Sequence, residues 1–113
     1  MKKRIALLAT LLLSGCFRTV APAFDVSVLP HVGEDFPHSG FERVLQRFVN
    51  DSGLVDYASL RDDRADLDRY TSLLAACSPD SNPELFPTTN DELAYWLNAY
   101  NALAITGVID RPG

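Results

Sequence analysis

Apolar residues gather in four stretches of the chain, and each stretch has its own period. Residues 5–13, Ile-Ala-Leu-Leu-Ala-Thr-Leu-Leu-Leu, form a nearly continuous run behind Lys2, Lys3 and Arg4. A membrane-spanning helix needs about 20 apolar residues, so this run is too short to span and instead suits the core of a secretory signal. Phe41, Val44, Leu45, Phe48 and Val49 recur at helical spacing and predict an amphipathic helix over about 40–50. Ser39 and Glu42 read as its capping box, and Asn50-Asp51-Ser52-Gly53 as its stop. Leu54 to Tyr57 reads as a short extended piece. Leu60, Leu67, Tyr70, Leu74 and Cys77 draw one line along a second predicted helix over about 60–77, opening at Ser59 or Asp62. Asp62, Asp63, Asp66 and Asp68 crowd its first half, where the helix dipole favours acids.

The fourth stretch has no polar face. A second box, read at Thr89 and Glu92, opens a predicted helix over about 90–109. From Leu93 to Ile109 nearly every position is apolar, which predicts a helix buried on all sides. Two modest helices cannot cover it, and a body of roughly 75 residues holds only a marginal core. The expected class is therefore α+β, mainly α in this fragment, with three helices and one or two short strands. The domain is expected to be incomplete, its remaining cover supplied beyond Gly113 or by a protein partner.

The segment between the signal and the first helix carries Pro22, Pro30 and Pro37 and sustains no period. Residues 16–38 are read as a tether and 39–113 as the globular part. Phe24, Val26 and Val28 alternate weakly, so residues 24–29 fit equally an edge strand packed on the domain.

Cysteine and charge sharpen this picture. Leu13-Ser14-Gly15-Cys16 follows the apolar run and matches the lipobox of bacterial lipoproteins. Residues 1–15 are then a signal peptide and Cys16 the lipidated residue, anchored stably by two or more acyl chains. Phe17, in place of Asp after the cysteine, points to the periplasmic face of the outer membrane in a two-membrane organism. Cleavage there removes both lysines and leaves seven arginines against fifteen acidic residues, a balance of −8. Such a chain is a poor nucleic-acid ligand and a poor match for anionic lipid.

Two strings carry a family resemblance: Val55-Asp56-Tyr57-Ala58-Ser59-Leu60 and Ala94-Tyr95-Trp96-Leu97-Asn98-Ala99-Tyr100-Asn101-Ala102. Together they resemble the opening of the family known as domain of unknown function 547. There a Val-Asp-Tyr segment precedes an acidic helix, and a Trp-(Ile/Leu)-Asn-x-Tyr-Asn-Ala helix follows. The resemblance covers about residues 40–111. It implies a longer domain whose later part carries a His and an Asn-Cys…Ser-Cys-Pro segment, neither of which can be matched in this sequence. The family supplies no settled biochemical role.

Candidate chemistry is sparse. Asn98 and Asn101 stand three apart on the last helix, sharing a face with Ala94 and Ile105. Amides in an apolar stripe need partners. They either tie the helix to loop backbone or line a pocket where an amide donates to a developing oxyanion. Tyr95, Trp96 and Tyr100 read as core aromatics whose hydroxyl or indole N–H finds a partner, with a ligand platform as the alternative. Cys77 reads as an inert buried thiol, or as half of a disulfide completed beyond Gly113. His31 and His38 fall in the tether and fit no ordinary zinc spacing, and no metal or cofactor is implied. Two functions remain open: a binding or accessory lipoprotein without chemistry, or the front of a hydrolase or thiol-type enzyme whose catalytic residues lie past residue 113.

Overall fold

The structure, a computed structural model, describes residues 34–112. The signal, Cys16, His31 and the candidate strand at 24–29 lie outside the described residues. Within them the fold is mainly helical: α1 Ser39–Phe48, α2 Tyr57–Asp62, α3 Ala65–Ala76 and α4 Thr89–Ile109, with a 3-10 turn at Pro83–Leu85. Extended structure among the described residues is confined to one antiparallel bridge, Val49 to Val55, and no strand forms. That bridge closes a tight turn in which Asn50 Oδ1 accepts from the backbone N–H groups of Ser52 and Leu54. Gly53 sits at φ 79°, a conformation costly for other residues.

The core is built by the lines seen in the sequence. Phe41 and Val44 of α1, Leu60 of α2 and Leu67 of α3 are almost wholly buried. Each contributes about 1.5–3 kcal/mol by leaving water. Tyr70, Leu74 and Cys77 continue the α3 line inward, and Tyr70 stacks on Phe41 with ring centroids 5.1 Å apart. α3 packs on α1, and both α2 and α3 pack on α4.

Four expectations need correction. The second helix is two helices, broken at Asp63, whose φ −136° and ψ 71° leave the helical region. It opens at Tyr57 with Asp56 as cap, the Asp56 side chain accepting from Ser59 N–H. Ser39 does not cap α1; it lies inside the first turn, and His38 holds the cap position without a side-chain cap bond. The capping box of α4 sits one residue earlier than read, between Thr88 and Asp91. Thr88-Thr89-Asn90-Asp91-Glu92 contains two overlapping boxes, and the one with the shorter acid forms.

The tether boundary also moves. Segment 34–38 is held to the helices through Phe36, which is buried and whose N–H donates to Leu85 O at 3.3 Å, while Glu34 and Asp35 stay exposed. The Phe36 ring lies 5.3 Å from Phe86 and 5.2 Å from Tyr95. An aromatic of this size finds more area in the core than in solvent, and it draws the end of the segment with it.

Candidate functional site

The last helix organises what chemistry the described residues hold. α4 is not buried on all sides. Tyr95, Ala99, Ala102, Ile105 and Ile109 recur at helical spacing and face the core. Leu93, Trp96, Leu97, Tyr100 and Leu103 recur at the same spacing on the opposite face and are exposed. α4 thus has two apolar stripes half a turn apart. Trp96 and Tyr100, read as core aromatics, belong to the outer stripe; Tyr100 is 75% exposed. Tyr95 is in the core as expected, and its hydroxyl donates to Leu74 O at 2.6 Å. That carbonyl lies in the last turn of α3, where helix geometry supplies no N–H partner, so Tyr95 caps the end of α3.

Asn98 and Asn101 flank the inner stripe. Both line an open cleft of about 380 Å³ walled by Phe41, Leu45, Val55, Tyr57, Ile105 and Val108. Asn101 is exposed there. Asn98 is tied to a side chain and not to loop backbone: its Nδ2 lies 3.1 Å from His38 Nδ1. The Tyr70 hydroxyl lies 2.8 Å from the same ring nitrogen. Burial lowers the proton affinity of His38, partly opposed by the Asp91 carboxylate. Burial raises the Tyr70 phenol well above its ordinary range, with Tyr95 adding to the shift and Asn98 opposing it.

His38 is the member that sequence reasoning missed. It stands after Pro37 in a segment without period, so it read as tether; the available sign was Phe36, a lone large aromatic two residues before it. Tyr70 was legible only as part of the α3 line.

Elsewhere arginines and aspartates pair across the surface. Asp66 accepts from Arg43 and Arg69, Asp63 from Arg47, and Asp68 and Asp110 from Arg64. Of the aspartates crowding the second predicted helix, Asp63, Asp66 and Asp68 therefore form surface ion pairs. The hydrogen bond from Arg43 holds Asp66 below the ordinary carboxylate range. Cys77 is free and buried, and burial, helped by Glu84, pushes its thiol up. Among the described residues no three His, Cys, Asp or Glu side chains gather to hold a metal. No described helix is long and apolar enough to cross a membrane.

No family model, curated protein or solved structure matches the chain.

Proposed function

We propose that the chain is a lipid-anchored protein of the bacterial cell envelope whose helical domain acts by binding another protein. One observation carries the binding role. Leu93, Trp96, Leu97, Tyr100 and Leu103 present large apolar side chains on one face of α4, each more than half exposed. Contiguous apolar surface of this kind marks interaction sites, and Trp and Tyr are enriched at their energetic centres. Residues 93–109 contain no Asp, Glu, Lys, Arg or His, so the partner surface is uncharged and apolar. The anchor is supported by the basic start, the short apolar run and the Leu-Ser-Gly-Cys box ending at Cys16. Phe17 supports the periplasmic face of the outer membrane in a two-membrane organism. The paired strings around Val55 and Trp96 support a place in the domain of unknown function 547 family, and so an α+β domain of which these helices are the front.

A photo-crosslinking residue at Leu97 of the full-length protein, activated in its native membranes, tests the binding role. A covalent adduct with a second polypeptide, absent when the probe sits at Asp51 on the exposed turn, supports it. Labelling confined to the protein's own chain overturns it, and the intact mass of the unlabelled protein then reports whether residues beyond 113 cover the face. Cys16→Ser tests the anchor separately, by loss of the protein from the membrane fraction.

A further inference from the structure

Two hydrogen-bonding groups from different helices converge on one imidazole nitrogen. His38 Nδ1 lies 2.8 Å from the Tyr70 hydroxyl of α3 and 3.1 Å from Asn98 Nδ2 of α4. A carboxamide nitrogen can only donate. That donor calls for a lone pair on Nδ1, shared between the two groups, and so for the proton of the neutral ring on Nε2. The same residue terminates the packed segment 34–38: its carbonyl accepts from Phe41 N–H and Glu42 N–H at the start of α1. Its ring lies 5.0 Å from that of Phe36, the residue that buries the segment. One residue thus joins the incoming chain to α1 through its carbonyl and to α3 and α4 through its ring.

We infer that His38, Tyr70 and Asn98 form a proton-sensitive latch that holds segment 34–38 on the helical body while the imidazole is neutral and releases it when Nδ1 is protonated. Protonation places an N–H on Nδ1 against the N–H of Asn98. The Tyr70 hydroxyl can turn to accept, but the Asn98 amide must rotate or withdraw. Because Asn98 also lines the cleft beside α1, the same proton alters a wall of that cleft. The groups facing the ring bear on the response in known directions. Asp91, at the start of α4, attracts the proton, and desolvation of the ring resists it more strongly. Tyr70 stays neutral through the physiological range, its phenol being raised. Arg43 of α1 is engaged by Asp66. With the ring's proton affinity lowered, the released chain binds more protons than the latched one below the ordinary histidine value of 6.5. Latching is therefore complete above that pH and weakens as pH falls through the window below it. The latch lies wholly within residues 34–112 and needs no partner on α4.

The test uses the full-length chain in detergent micelles. Imidazole nitrogen NMR, with His31→Gln to assign the two rings, reads the tautomer of His38 without disturbing the latch. The proton is expected on Nε2, and one on Nδ1 in the neutral form overturns the inference. Amide exchange then follows Phe36 N–H, bonded to Leu85 O. After correction for intrinsic rates, its protection is expected to fall by up to about tenfold per pH unit across the window below 6.5, as a one-proton linkage requires. The fall should be absent in His38→Gln, and wild-type protection that is flat from pH 7.5 to 5.0 rejects the latch. An equal fall in His38→Gln rejects it as well, since the proton would then act elsewhere.

Discussion

Two side chains illustrate how single groups set local stability here. Tyr95 caps α3 through its hydroxyl, so Tyr95→Phe keeps the ring packing and leaves Leu74 O without its donor. A buried acceptor stripped of its partner costs about 1–3 kcal/mol. Urea denaturation of Tyr95→Phe is therefore expected to show a lowered midpoint with an unchanged slope, the sign of lost stability without a change of fold. Cys77 is set by its surroundings in another way. Its thiol is buried, and desolvation holds it in the protonated, poorly nucleophilic form. A thiol reagent should leave Cys77 untouched in the native protein and label it once denaturant is added. Rapid labelling at neutral pH in buffer would show that the α3 terminus opens readily.

At the scale of elements, the ends of α4 are fixed by different devices. Its start is held by the reciprocal box between Thr88 and Asp91. Its end is gripped by two arginines: Arg61 Nε donates to Ile109 O at 3.0 Å, and Arg64 pairs with Asp110. Cations there oppose the negative end of the helix dipole. Thr88→Ala is expected to cost about 0.5–2 kcal/mol in chemical denaturation. Asp51→Ala, on the exposed turn after α1, should change little, as surface positions away from such features do. The existence and order of these helices were legible from hydrophobic spacing, because Phe41, Val44 and Phe48, then Leu67, Tyr70 and Leu74, do face the core. The break at Asp63 was not. Leu60 and Leu67 are seven residues apart, two helical turns, so the apolar line keeps its phase whether the chain between them is straight or kinked. The doubled stripe of α4 was hidden for a related reason: two opposed apolar faces sum to a helix that reads as apolar all round. The site was legible at Asn98 and Tyr95, whose types demand partners, and not at His38, whose partners lie 32 and 60 residues away.

For the whole molecule, the proposed binding role assigns stability to one face of α4 and association to the other. The inner face packs on α2 and α3, and Ala102 is wholly buried on it. The outer face contributes surface without cover: Leu97 is 56% exposed. Substitutions on the two faces should therefore separate cleanly. Ala102→Leu adds volume where none is free, and overpacking of this sort costs about 1–3 kcal/mol. Leu97→Glu places a charge where water already reaches, and should shift the stability of the isolated protein by about 0.5 kcal/mol or less. Association should respond in the opposite order. Ala102→Leu leaves the outer stripe intact, so any molecules that remain folded should still engage the partner. Leu97→Glu sets an uncompensated charge in the proposed apolar interface, where burying it on binding is costly. Urea denaturation together with crosslinking from Tyr100, performed on both variants, checks the division. Loss of stability in Leu97→Glu comparable to that in Ala102→Leu would mean that the outer stripe is already covered in the protein's own folded state. Equal stability with unchanged crosslinking would remove Leu97 from the contact. Lowered crosslinking with stability retained would place the association on the outer stripe, where Trp96 and Tyr100 supply its widest apolar surfaces.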